Sequence, residues 1–223
     1  MKPASDADRP SWLPTGLLAI PVVVIRSAPY ARGLCQALAT GGIPCAEITL
    51  RTEEALEAIA AAAAVDDFLV GAGTVLNAAQ ARDAIAAGAR FLVSPGFDEG
   101  VLTAGADAGV PVVPGIATAT EAQRAFNAGV QTVKFFPAST SGGIKAVEAL
   151  SAPFGGLRFI PTGGVSLADA PAWLRIPSVI AVGGSWLAPP DVVEAGRFAT
   201  IERLARDTVR ALSSPSVAAD TMR

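Results

Sequence analysis

The chain alternates between short apolar runs and longer stretches in which apolar residues recur every three or four positions. The first run, residues 18–25, is continuous and rich in β-branched side chains, the pattern of a strand buried on both faces. The period then lengthens, and residues 28–40 read as a helix stopped by Gly41-Gly42. The same switch repeats along the chain. Strands are predicted at 45–50, 68–73, 91–94, 112–115, 132–136, 158–162 and 178–183. Helices are predicted at 52–64, 77–87, 99–108, 120–128, 143–150, 167–174 and, as one long final element, 191–212. Glycines at 88, 109 and 129 mark helix ends, and Thr52-Glu53-Glu54 puts acid in a first turn, where it suits the helix dipole.

Strands that alternate with helices in this way form a parallel sheet, and eight such units close into a (β/α)₈ TIM barrel. At 223 residues the barrel is compact, since about 250 is usual. An open doubly wound sheet is the alternative, but no G-x-G-x-x-G follows the first strand. No linker or shift in composition divides the chain. The expected organisation is a short N-terminal extension over 1–16, one barrel domain over 17–212, and a polar tail over 213–223 that frays.

Composition narrows the function. Hydrophobic residues make up 51% of the chain, enough for a large core, and the net charge is −3. No basic block favours nucleic acid or an anionic membrane, and the apolar run near residue 20 is too short to span a bilayer. Two cysteines, Cys35 and Cys45, are too few for a disulfide framework and suit a reducing cytoplasm. The chain has no histidine, so proton transfer falls to carboxylate, lysine, tyrosine or water, and the commonest soft-metal sites are excluded.

One residue breaks the apolar pattern. Of three lysines, Lys134 alone lies inside a strand, flanked by Val133, Phe135 and Phe136. Taking an ammonium out of water costs several kcal/mol, which favours the neutral amine, a nucleophile toward carbonyl carbon. A strand-end lysine that snorkels to water is the plain alternative.

In a barrel of this kind chemistry sits at the C-terminal ends of the strands. On the second strand Glu47, Thr49 and Arg51 share the face opposite Ala46, Ile48 and Leu50, which puts a carboxylate and a guanidinium inside the barrel. They read either as a structural ion pair or as a proton carrier (Glu47) beside a fork for an anionic substrate group (Arg51). The third strand ends Gly71-Ala72-Gly73-Thr74, where small residues leave room for a ligand and Thr74 offers a hydroxyl. The seventh ends Thr162-Gly163-Gly164 and the eighth Gly183-Gly184-Ser185. Loops after these two strands make the phosphate site of many barrels, so Gly163, Gly164, Gly184 and Ser185 are its candidates.

With these residues placed, the chain resembles the KDPG/KHG aldolase family, the 2-keto-3-deoxy-6-phosphogluconate and 4-hydroxy-2-oxoglutarate aldolases. The resemblance is carried by Glu47-Ile48-Thr49-Leu50-Arg51-Thr52, Gly71-Ala72-Gly73-Thr74-Val75, Ser94-Pro95-Gly96, Pro114-Gly115-Ile116-Ala117-Thr118, Val133-Lys134-Phe135-Phe136-Pro137-Ala138, Pro161-Thr162-Gly163-Gly164 and Gly183-Gly184-Ser185-Trp186-Leu187. It implies a class I lyase of carbohydrate metabolism that needs no metal or other cofactor and assembles as a homotrimer. It further implies a Schiff base on Lys134 and acid–base work by Glu47. Arg51 and Thr74 would then hold the substrate carboxylate, Phe136 would pack against the pyruvate methylene, and Thr162 would reach a hydroxyl or carboxylate. The chain departs from the family pattern at Phe97-Asp98, at Ile25-Arg26-Ser27, and in an N-terminal helix reduced to about residues 11–17. Competing functions are a 2-keto-3-deoxy-6-phosphogalactonate aldolase, a non-catalytic sugar-phosphate-binding barrel and a metal-dependent aldolase.

Overall fold

The computed structural model describes residues 9–213. In chain order it contains β1 (Ala19–Val23), α1 (Tyr30–Thr40), β2 (Cys45–Thr49), α2 (Ala55–Ala63), β3 (Leu69–Gly73), α3 (Ala78–Ala86), β4 (Leu92–Val93) and α4 (Glu99–Ala108). These are followed by β5 (Val112–Val113), β6 (Gly115–Ile116), α5 (Ala119–Asn127), β7 (Thr132–Phe135), α6 (Gly143–Ser151), β8 (Arg158–Pro161), α7 (Ala170–Leu174), β9 (Val182–Gly184), α8 (Pro190–Glu194) and α9 (Phe198–Ser213).

The strands form two parallel arcs, β5-β4-β3-β2-β1-β9 and β6-β7-β8. Two seams join the arcs into a ring. At the first, β5 and β6 are halves of one barrel strand split at Pro114, which has no N–H to donate, while its carbonyl accepts from Lys134 N at 2.9 Å. At the second, Phe159 bridges Val179, Thr162 bridges Gly183, and Ile180 N donates to Phe159 O at 3.1 Å. The result is the expected eight-unit α/β barrel. β2 and β7 are buried along their whole length, packed between the barrel interior and the helix layer.

The helices start and stop where local chemistry directs. Asn77 caps α3 and Asp98 caps α4, each through its side-chain oxygen, and Thr118 and Glu121 form a reciprocal capping box on α5. Gly109 ends α4 in the left-handed region at φ 66°.

Three expectations need correcting. The final helix is two helices, α8 and α9, because Gly196 takes φ 62° and turns the chain between them. No helix forms over residues 11–17. Pro10 and Pro14 permit only turns there, closed by Leu13 N to Pro10 O and Leu17 N to Pro14 O. The eighth barrel strand pairs continuously only over β9, with Val179 as an isolated bridge before it. Residues 1–8 of the expected extension, and all of the expected tail except Ser213, lie outside the described residues; Ser213 is the last residue of α9.

The N-terminal arm plugs the barrel floor. Trp12 stacks on Phe91 with ring centroids 5.1 Å apart, and Arg9 donates to the carbonyls of Ile180 and Leu17. Phe91 occupies the space that a Cβ at Gly71 would fill. No helix among the described residues is long and apolar enough to cross a membrane.

Candidate active site

Lys134 and Glu47 meet inside the barrel. β7 carries the lysine inward and β2 the carboxylate, and Lys134 Nζ donates to Glu47 Oε1 at 3.1 Å. Both are buried, at 6% and 4% exposure. Lys145, by contrast, is exposed. The small cavity around the pair is lined by Ile160, Phe91, Trp12 and Thr162 among others. Two charges in such a place must satisfy each other, since an unpaired one would cost several kcal/mol. The short contact also offers a path for a proton from ammonium to carboxylate, which would leave the amine free to attack.

Other predicted residues surround this pair at different depths. The Phe136 ring centroid lies 5.3 Å from Lys134 Nζ, so the ring forms one wall beside the amine. Thr162 is buried on the same cavity, its hydroxyl donating to Ile160 O at 3.3 Å. Thr49, facing inward like Glu47, donates to Val23 O at 2.9 Å and ties β2 to β1. Thr74 is half-buried beyond the end of β3 with φ 58°, a left-handed conformation that non-glycine residues rarely adopt.

Arg51 does not lie inside the barrel. It sits two residues beyond the end of β2, after the chain has turned through an Arg51 N to Thr49 O hydrogen bond at 2.8 Å, and it is exposed. Strand alternation ceases where the strand does, so the shared face predicted for Glu47, Thr49 and Arg51 holds only for the first two. Among the described residues the Arg51 guanidinium forms no ion pair.

The glycine-rich strand ends differ in character. Gly163 and Gly164 take φ 92° and 77°, so both need glycine for conformation. Gly164 also lies against Ser139, whose Oγ would be 2.0 Å from an added Cβ. Gly184 has no left-handed φ, and its missing side chain makes room for the Trp186 ring, 1.6 Å from where a Cβ would stand. A methyl at Gly184 would first strike Trp186. Ser185 is exposed next to it. Among the described residues the Gly164 and Ser185 amides make no hydrogen bond.

Sequence reasoning missed Trp12, Ser139 and the spatial role of Gly73. The hydroxyl run Ser139-Thr140-Ser141 directly after the lysine strand was the available signal for Ser139. Nothing in the pattern placed Trp12 under the site. The room expected for a ligand at Gly73 is taken by Glu47, whose Oε1 would lie 2.1 Å from an added Cβ. Cys35 and Cys45 are free and buried; burial pushes the Cys35 thiol up to about 12, and burial with the charge of Glu47 raises Cys45 further. Among the described residues no three His, Cys, Asp or Glu side chains group as metal ligands.

Comparison with known proteins identifies the family. The family model for KDPG and KHG aldolase matches residues 15–204. The chain is 46% identical over 191 residues to the 2-dehydro-3-deoxy-phosphogluconate aldolase of Dickeya dadantii, covering 85% of this chain and 90% of that one. It is 44% identical over 200 residues to the KHG/KDPG aldolase of Escherichia coli K12, covering 89% and 93%. Its fold superposes with a TM-score of 0.82 on the KDPG aldolase of Legionella pneumophila, at 38% identity and over 85% and 93% of the two chains. That structure holds pyruvate captured at low pH as a covalent carbinolamine intermediate. A match over most of the chain, with a buried lysine–glutamate pair in an α/β barrel, has one meaning: the chain belongs to the KDPG and KHG aldolase family and is a lyase.

Proposed function

We propose that this enzyme is a class I aldolase that cleaves 2-keto-3-deoxy-6-phosphogluconate to pyruvate and D-glyceraldehyde 3-phosphate, with Lys134 as the nucleophile. The observation that carries the reading is the buried contact between Lys134 Nζ and Glu47 Oε1 at 3.1 Å. Pyruvate held as a carbinolamine in the Legionella relative supports it, because a carbinolamine requires an amine. A second substrate, 4-hydroxy-2-oxoglutarate, giving pyruvate and glyoxylate, is favoured by the combined name of the Escherichia coli relative.

The steps follow from the residues. Glu47 takes a proton from Lys134, and the neutral amine attacks C2 of the keto acid. The carbinolamine loses water to become a protonated imine, which draws electrons. A base then removes the C4-hydroxyl proton. The C3–C4 bond breaks, its electron pair moves into the imine, and C4 leaves as the aldehyde carbon. The resulting enamine takes a proton at C3, and water hydrolyses the imine to release pyruvate and free Lys134. Glu47 is the carboxylate beside the reacting carbons, so we assign it the proton steps, with water as relay where distance requires.

Binding divides between two places. We assign the substrate carboxylate to Arg51 and Thr74, with Arg51 reaching in from the mouth, and the pyruvyl carbons to Phe136 and Thr162. The phosphate falls to Gly163, Gly164, Gly184 and Ser185, a reading supported by the unengaged Gly164 and Ser185 amides. The catalytic unit is residues 17–212, working without metal or other cofactor, as a cytoplasmic homotrimer in the Entner–Doudoroff route. Reduced, buried thiols suit that compartment.

The test is pyruvate release from three keto acids, the phosphogluconate-derived, the phosphogalactonate-derived and hydroxyoxoglutarate, compared by kcat/KM before and after exhaustive EDTA treatment. Highest kcat/KM on the first, unchanged by EDTA, is expected. A preference for the galactonate compound, or EDTA loss restored by zinc or magnesium, contradicts the proposal.

A further inference from the structure

We propose that Gly73 is a positioning residue for the reaction: its missing side chain holds open the space in which the Glu47 carboxylate must lie. The proposal rests on the reading of Glu47 as the proton carrier.

The register brings the two residues together. β2 and β3 pair with Thr49 opposite Gly73 and Glu47 opposite Gly71. A Cβ built at Gly73 would stand 2.1 Å from Glu47 Oε1, 2.5 Å from its Cγ and 2.6 Å from its Cδ. All three nearest atoms belong to one side chain. Gly73 is also absent from the glycines with positive φ, so its backbone conformation is open to any residue. Glycine is required here for room, and the room is filled by Glu47.

Neighbouring glycines show that this is particular to Gly73. Gly71 makes way for the Phe91 ring and Gly115 for the Pro95 carbonyl, both packing elements. Gly163 and Gly164 answer a conformational need. Only at Gly73 is the occupant the carboxylate that contacts the nucleophile, and the oxygen nearest the missing Cβ is the one that accepts from Lys134 Nζ. An added methyl must push Oε1 back by roughly 1 Å to reach van der Waals separation, and a displacement of that size can cost on the order of a hundredfold in rate. Glu47 is enclosed by the barrel, so no move into solvent relieves the contact.

The experiment separates positioning from folding. With Gly73→Ala, deuterium incorporation into the pyruvate methyl group, followed by NMR in D₂O, should slow on the order of a hundredfold. Borohydride trapping of pyruvate carried to its end point should persist, because Lys134 is still there to form the imine even where its deprotonation is slowed. A merely structural defect would lower both together. Thermal unfolding supplies a second arm. Gly73→Ala should lower Tm in the wild-type background and leave it unchanged in a Glu47→Ala background, where the arm it strikes is gone. Wild-type deuterium exchange in Gly73→Ala, equal loss of exchange and trapping, or the same Tm decrease in both backgrounds overturns the proposal. Should Gly73→Ala not fold alone, recovery of a folded protein on adding Glu47→Ala supports the proposal, and failure to recover contradicts it. Glu47→Gln tells the two ideas apart: wild-type exchange in Glu47→Gln overturns the reading of Glu47 as the proton carrier, whereas slow exchange in Glu47→Gln with wild-type exchange in Gly73→Ala overturns the Gly73 proposal alone.

Discussion

The interior pair and the rim of the barrel are built in opposite ways. Lys134 and Glu47 are buried, joined at 3.1 Å, and sealed below by Trp12 on Phe91. Arg51, Gly164 and Ser185 at the mouth are exposed. The first region holds its charges against each other in a buried enclosure, where a proton can pass directly between them. On the proposed reading, the second holds donors for groups that arrive with the substrate. If the proposed assignments hold, the difference makes bond-making and substrate choice separable. Changes inside should affect every substrate alike, and changes at the rim should depend on which anionic group the substrate carries.

The sharpest break in that comparison is Glu47→Gln. The shape is kept and the proposed proton carrier lost, so kcat/KM should fall on the order of 10²–10⁴-fold for phosphorylated and unphosphorylated keto acids equally. A loss confined to the phosphorylated substrate would move Glu47 out of the chemistry. Next in size is Ser185→Ala. A hydrogen bond to a charged group is worth about 1.5–3 kcal/mol, so kcat/KM for the phosphorylated substrate should drop roughly tenfold to a hundredfold while hydroxyoxoglutarate turnover stays level. Equal losses on both would remove the phosphate from this rim.

The smallest effect is a control for rim stability. Glu121 completes the capping box of α5. Partial burial raises its pKa, but hydrogen bonds from the Ala117 amide and from the hydroxyl and amide of Thr118, with nearby Arg124, outweigh this and leave it lowered. A carboxyl lowered in the folded state adds stability above its unfolded pKa of about 4.3 and loses it as pH falls through the folded value. Glu121→Gln should therefore cost about 1 kcal/mol at pH 7 in thermal unfolding, and the deficit should shrink below about pH 4. Neither substrate's kcat/KM should change at neutral pH. A deficit that grows in acid would contradict this sign.

Much of the architecture was legible because burial on both faces leaves a plain signature. Short apolar runs marked every barrel strand, and Gly41, Gly88, Gly109 and Gly129 marked four helix ends. The anomaly of a lysine inside such a run pointed to the buried Lys134 that the structure sets against Glu47. What alternation could not tell is where a strand stops: Arg51 keeps the period on paper but lies past the turn. Nor does a glycine declare its purpose. Gly73, Gly163 and Gly184 look alike in sequence, yet one makes room for a carboxylate, one needs a left-handed backbone, and one yields to Trp186. Only the fold brings together Trp12 and Phe91 in the floor, because the arm that carries Trp12 has no periodicity to predict its path.

The central claim is that Lys134 is the amine that holds the substrate covalently. Incubation with pyruvate and sodium borohydride, followed by peptide mass spectrometry, tests it most directly. The account predicts one reduced pyruvyl adduct, on Lys134, and its loss together with turnover in Lys134→Arg, whose guanidinium stays protonated. An adduct on Lys145, or no adduct in an enzyme that still releases pyruvate, would contradict it.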